Sequence, residues 1–509
     1  MPTINEKKDN QKTSAFLKVA DQFQLGELVT EKPHPKTVGL RDLTHRNLTE
    51  AIETFAAVDS EMLNVLVEKT QLVQKLSREI VSTLGLGGRV FLSGCGATGR
   101  LSLVLENIWR QQKSGKDRDL VVGFMAGGDL ALIHSIEKFE DFADYGARQL
   151  QELGFSSKDL LVASSEGGET PWVIGTALKA AELGGRSFFL YCNPDELLVS
   201  KLKRCQEVFS DHRVEKLNFT ASSQALTGST RLQASSILMA AIGTALFQKE
   251  SQKEIGKYLS SLKEFYEGLD KSKMAELIRA EADIYQKRGD IYYAPSLNVA
   301  MSALTDTTER SPTFSLSGFN NKTDTESPRS WCYLLFENSE TSEEAWKKLL
   351  FRAPRPLRWS EVQESAGAQR LYGFDFSKNV LNWRGPSDPS VFQITYKDDA
   401  LLLALGESSL TYNMGKCDLL GVHLTLKMLL NMHSTLLMGL MNRYQSNIMT
   451  FVRPSNNKLI DRCVRYAQLL LREKGVEVDY KDLVNDCFNF MDESSQSEPV
   501  VMKIVGKYA

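Results

Sequence analysis

No two of the seven cysteines in this 509-residue chain stand in CxxC spacing, and Cys95, Cys192, Cys205, Cys332, Cys417, Cys463 and Cys487 make an odd, scattered set. Neither a disulfide framework nor a zinc site is expected from such a set. His34, His45, His134, His212, His423 and His433 form no HxH or HExxH group, so no metal and no other cofactor is expected. A basic surplus is also missing. Lys and Arg total 61 against 64 Asp and Glu, for a formal charge of −3, which argues against a nucleic-acid partner. Long apolar runs are scarce: "ILMAAIGTALF" (Ile237–Phe247) falls far short of a bilayer span. The opening "MPTINEKKDNQKTSAF" has no apolar signal core. The expectation is a cytoplasmic protein with reduced thiols and no membrane contact.

What is present is alternation. A chain of 509 residues exceeds one ordinary core, so two or three domains are expected. Residues 1–45 read as an N-terminal arm with a frayed polar start. Its "KPHP" is expected to be extended, because the residue before a proline avoids helix. From Asn47 to about Thr83 apolar residues recur at three- and four-residue spacing, as in a long helix. Then "GGRVFLSG", "RDLVVGFMAGG", "KDLLVASS", "RSFFLYCN" and "VEKLNF" read as strands. Between them "ATGRLSLVLENIWRQQ", "DLALIHSIEKFEDFADYGARQLQEL" and "TPWVIGTALKAAELGG" read as helices, and "GSTRLQASSILMAAIGTALFQKE" closes the unit as one more. Such alternation predicts a parallel sheet covered by helices, here over residues 46–250. A second, less regular series over 251–440 runs through "GDIYYAPS", "TFSLSGF", "WCYLLFEN", "VFQITY" and "ALLLALGE", and residues 441–509 form a helical C-terminal region.

Three clusters carry chemistry. "SGCGATGR" follows the first strand, and its glycines at 94, 96 and 99 let backbone N–H groups approach an anion at a helix N-terminus, with Thr98 adding a hydroxyl. A dinucleotide is disfavoured, since the next strand ends in "AGGD" and not in an acidic residue placed for a ribose. "SSEGGET" follows the third strand: Ser165, Gly167, Gly168 and Thr170 set hydroxyls and bare amides before Pro171, a natural first helical residue. "ALTGSTRLQ" offers Ser229, Thr230 and Arg231. Together they read as a phosphate-binding constellation.

These clusters resemble the sugar isomerase (SIS) family, whose phosphate loop runs S-x-S-G-x-T; "SEGGET" matches it except that Gly167 replaces the second serine. Within that family "LVTEKPHPKT", "GCGATGRL", "AGGD", "LTGSTRL", "LKMLLNMHST" and "NNKLIDR", in this order, are similar to the group of N-acetylmuramic acid 6-phosphate etherase and glucokinase regulatory protein. The resemblance implies an α/β fold of two SIS-type, flavodoxin-like parallel-sheet domains, the second degenerate, with a helical N-terminal arm and a helical C-terminal region. It implies a phosphorylated sugar or amino sugar over Gly96, Thr98, Ser165, Gly167, Gly168, Thr170, Ser229, Thr230 and Arg231, reached also by Lys458. It makes a sugar-phosphate-binding regulator the leading expectation, with a sugar kinase as a candidate partner and a phosphosugar lyase or isomerase as the alternative. Monomer with pseudo-dimeric halves and homodimer both stay open.

The resemblance also sets the question of catalysis. The etherases use two glutamates, one as acid and one as base. By position one of them is Glu140, whereas the other falls on Ile108, with Glu106 two residues away on a different helix face. In the second half "DTTERSPTF" places Glu309 in an E-x-x-P-T arrangement like that of the acid. No glycine loop precedes it, so a structural remnant is the expectation there.

Overall fold

The computed structural model describes residues 4–23, 25–136, 139–248, 252–324, 326–385, 389–491 and 498–509. Two five-stranded sheets organise it. The first contains β1 (Val90–Gly94), β2 (Val121–Met125), β3 (Leu160–Ser164), β4 (Arg186–Tyr191) and β5 (Val214–Asn218), ordered β2-β1-β3-β4-β5. Every pairing is parallel. Strands β1, β2 and β3 are buried at every residue, which is why they read as unbroken apolar runs: helices cover both faces. This is the flavodoxin-like order, and its direction reverses between β1 and β3, where ligands of open α/β sheets bind.

The second sheet contains β6 (Ile291–Pro295), β7 (Cys332–Leu334), β8 (Ser390–Lys397), β9 (Ala400–Leu405) and β10 (Ser408–Asn413), ordered β10-β9-β8-β6-β7. Its β7-β6-β8 part is parallel. β9 and β10 extend it as an antiparallel meander, in which β9 alternates buried and half-buried residues. Two sheets fit two SIS-type domains, and the parallel part of the second is cut to three strands.

Several local expectations are corrected. "TFSLSGF" is not a strand: Phe314 closes a helix, Ala300–Phe314, which "ALTDTTERSPTF" disguises with β-branched residues and Pro312. The helix is almost wholly buried, and packing overrides its weak propensity; Thr308 and Thr313 hydroxyls bond back to the carbonyls of Leu304 and Glu309 at 2.9 and 2.8 Å. The expected helix over "DLALIHSIEKFEDFADYGARQLQEL" breaks into 3-10 turns at Asp129–Leu132 and Phe139–Asp141, and helix resumes only at Ala143–Glu152. There Asp129 is held by Arg352, 2.5 Å away, and Phe139 stacks on Trp359 at 5.6 Å, so residues of the second half dictate the path. The helix expected from Gly228 begins at Gln233, and Gly228–Leu232 form a loop instead. The long helix after Asn47 is two, Leu48–Glu68 and Thr70–Gly85, parted at Lys69, whose ammonium donates to the Asn218 carbonyl at 2.8 Å. The polar start is helical over Ile4–Leu17, and "KPHPKT" is not simply extended but holds a 3-10 turn at Pro35–Thr37.

The halves meet along helices Ala97–Gln112 and Ala300–Phe314. Arg100 Nε lies 3.3 Å from Thr308 Oγ1, and Gln111 donates to the Asn298 carbonyl at 3.1 Å. Arg352 clamps both Glu106 and Asp129 at 3.0 and 2.5 Å. Helix Leu419–Leu440 is buried along nearly its whole length behind this seam.

Candidate functional site

A cavity of about 380 Å³ opens at the carboxyl end of β1, at the seam between the halves. Gly96 lines it at φ +56°, a backbone conformation that a side chain would strain, and open space lies where a Cβ would stand. Ser229, Thr230 and Arg231 line it from the loop before helix Gln233–Phe247, Glu309 from helix Ala300–Phe314, and Arg453 from the C-terminal region. Arg231 is not a free cation. Its guanidinium donates to Asp306 at 3.0 Å and to Asn431, Ser434 and Thr435, leaving Nε without a partner. Ser229 Oγ is likewise buried and unpartnered. Both carboxyl oxygens of Glu309 are buried without a hydrogen bond.

Beside the cavity stands the turn after β3. Ser165 Oγ lies 3.0 Å from Thr170 Oγ1 and accepts the Gly168 N–H at 3.1 Å. Gly168 adopts φ +75°, and a Cβ there would meet Leu198 at 2.8 Å. Thr170 occupies the cap position before Pro171, but its hydroxyl turns to Ser165 and makes no capping bond. Thr98 Oγ1 closes the β1 turn, accepting the Cys95 N–H at 3.0 Å. Among the predicted site residues, Gly96, Ser229, Thr230 and Arg231 line the cavity itself; Thr98, Ser165, Gly167, Gly168 and Thr170 build the two adjoining turns.

The family model described as "Glucokinase regulatory protein N-terminal SIS domain" matches residues 69–181. N-acetylmuramic acid 6-phosphate etherase 2 of Vibrio cholerae is 33% identical over 210 residues, 41% of this chain and 63% of the relative. N-acetylmuramic acid 6-phosphate etherase of Bacillus pumilus is 28% identical over 213 residues, 42% of this chain and 65% of the relative. Residues 69–181 match an SIS domain, and the chain is similar to the group of glucokinase regulatory protein and these etherases. It spans just under two thirds of the length of these etherases. Among solved structures, the C-terminal domain of glucosamine-fructose-6-phosphate aminotransferase from Francisella tularensis aligns with 76% of this chain and 94% of its own, at 12% identity and a TM-score of 0.34.

In this site the two glutamates of the β3 turn have opposite fates. Glu169 lies against Gly167 of the turn, its carboxylate 2.9 Å from Lys458 and 2.5 Å from Arg204. Burial alone would raise its pKa, but the two cations override that and bring it to about 2. Lys458, at the start of helix Asn457–Glu473, is thereby bound to the turn, and Glu169 holds its pKa up against burial. Glu166 is buried with Oε1 unpartnered, and burial, aided by the charge of Glu309, pushes it up to about 8. Glu309 is also raised, chiefly by burial, against the pull of Arg100, Lys427 and Arg231. Lys427, which donates to the Arg231 carbonyl at 2.8 Å, is lowered by burial to about 8. Glu140 sits in a 3-10 turn and not on a helix, its Oε2 3.8 Å from Cys95 Sγ beside the β1 turn. His134 stacks on Phe374, the ring centres 6.3 Å apart. Sequence reasoning missed Lys427 and Arg453. Lys427 is a single cation in the apolar stretch "LTLKMLL" of helix Leu419–Leu440, and a lone charge among leucines was the available signal. The Arg453 segment carried no motif.

Proposed function

We propose that the cavity binds a phosphorylated sugar or amino sugar through the β1 and β3 turns and Ser229–Thr230, and acts on it as a carbon–oxygen lyase or a sugar-phosphate isomerase. The observation that carries this reading is Glu309, buried in the cavity wall with both carboxyl oxygens unpartnered. Burial favours the neutral form of a carboxyl so placed, which can deliver its proton to a leaving oxygen, the task of a general acid. Glu140, beside the β1 turn, is the candidate base. Position 108, where the etherase relatives would place an acid, is Ile108, so the second half of the same chain supplies the carboxyl that the first half lacks. A single chain then holds a complete pair without a second copy.

The test is incubation with N-acetylmuramic acid 6-phosphate, N-acetylglucosamine 6-phosphate, fructose 6-phosphate, fructose 1-phosphate and sorbitol 6-phosphate, with thermal unfolding and product analysis side by side. A probe at 100 times its dissociation constant stabilises by about 2.7 kcal/mol, a rise of roughly 2–4 °C in Tm. Glu309→Gln is expected to keep that rise and lose turnover by about 100-fold or more. A probe that binds and is recovered unchanged from the wild type favours a second reading, a sugar-phosphate sensor acting on a sugar kinase. That reading draws on the match to the regulatory protein's N-terminal SIS domain and on two sheets in one chain.

A further inference from the structure

We infer that Asp59 is the positioning residue of the cavity-lining loop Ala225–Arg231, acting through Gln233; the inference rests on the cavity being the ligand site. Asp59 lies on helix Leu48–Glu68, buried and outside the cavity lining. Its Oδ1 accepts from Gln233 Nε2 at 2.7 Å and its Oδ2 from the Tyr266 hydroxyl at 2.6 Å. Gln233 in turn offers Oε1 to the Ala225 N–H at 2.9 Å. A carboxylate only accepts, so it fixes which end of the Gln233 amide faces it and leaves the oxygen for Ala225. Gln224 Oε1 accepts the Ala234 N–H at 2.9 Å in the opposite sense, and the two amides pin the loop to the first turn of helix Gln233–Phe247. From that pinned start the chain runs through Thr227, whose N–H donates to Asn447 at 2.8 Å, to Gly228, Ser229, Thr230 and Arg231 at the cavity.

The placement is costly unless it does something. Among the described residues no cation bonds the Asp59 carboxylate; Lys427 and Lys271 reach it only through their fields, and burial lifts it to about 6. An acid buried among neutral donors is a poor packing residue, and a leucine would fill the space better. Holding an amide acceptor under the Ala225 N–H is a task a leucine cannot perform.

The test uses the full chain and compares backbone hydrogen exchange in the wild type, Asp59→Leu, Asp59→Asn and Gln233→Met. Asp59→Leu and Gln233→Met are each expected to speed exchange across Ala225–Arg231 by about tenfold while β1 and β3 stay within about twofold. Asp59→Asn, which keeps an acceptor for Gln233, is expected to restore wild-type protection of the loop. Combining Asp59→Leu with Gln233→Met is expected to add nothing further, since both act on one path. The dissociation constant for N-acetylglucosamine 6-phosphate should follow the same order, weakening about tenfold in the Leu and Met variants. Unchanged loop exchange in Gln233→Met, or faster exchange in Asp59→Leu confined to helix Leu48–Glu68, overturns the inference. Wild type that ignores every sugar phosphate while the exchange pattern holds overturns the ligand reading instead and keeps the role of Asp59.

Discussion

Glu166 and Glu169 sit three residues apart in one turn, and burial treats them differently because only one has cations. For Glu166 the folded-state value of about 8 lies well above that of an ordinary glutamate. A raised acid contributes its full stability below its unfolded pKa and loses it as pH climbs through the folded one. Glu166→Gln is therefore expected to gain on the wild type between about pH 5 and about pH 9, by on the order of 1–3 kcal/mol at the upper end. Thermal unfolding across that range checks it, and a gap that does not widen with pH contradicts it. At this scale the sequence showed the turn glycines and hydroxyls well, because their spacing is local chemistry. It could not show that Glu166 is buried, since part of what encloses it, Glu309, arrives from more than a hundred residues away. Glu309 is visible as E-x-x-P-T, but the cavity it lines has its glycine turn on the other half of the chain, which no local pattern shows.

Among elements, the contact that matters most is that of the β3 turn with helix Asn457–Glu473. Glu169 draws Lys458 and Arg204 onto the turn, so the C-terminal region is tied to the β3 turn by charge. Glu169→Gln leaves two cations facing a neutral amide and is expected to cost about 1–3 kcal/mol at neutral pH. Urea unfolding measures it. The depressed pKa of Glu169, about 2, means that its contribution is present above the pKa of an ordinary glutamate and is lost as pH falls toward 2; the variant and the wild type should converge there. The strands of the first sheet were legible as apolar runs because they are covered on both faces. Helix Ala300–Phe314 was not, because its helicity comes from burial against the other half and its own residues argue against it.

For the whole molecule, the halves complete one another. Arg100 and Arg231 reach Thr308 and Asp306 across the seam, and among the described residues Glu106 is answered by Arg352 and Arg355 besides Arg110 on its own helix. Residues 1–248 alone would strip Arg231 of Asp306, Asn431, Ser434 and Thr435 and Glu106 of Arg352 and Arg355, and would lack Glu309. Expressed by themselves they are expected to give no sugar-phosphate stabilisation. Co-expressed with 252–509 they are expected to copurify and regain it, as affinity pull-down and thermal unfolding would record. A full response from 1–248 alone would remove the second half from the site.

The two seam helices are reciprocal but unequal. Where helix Ala300–Phe314 meets the start of helix Ala97–Gln112, Glu309 leaves a cavity; where Ala97–Gln112 meets the turn before Ala300–Phe314, the Gln111 amide is already bonded to the Asn298 carbonyl. One end of the seam holds a cavity, and the other is joined by a side chain bonded to backbone. A titration of this protein should therefore saturate at a single equivalent of ligand per chain, along a plain hyperbola, although the molecule is built like a pair.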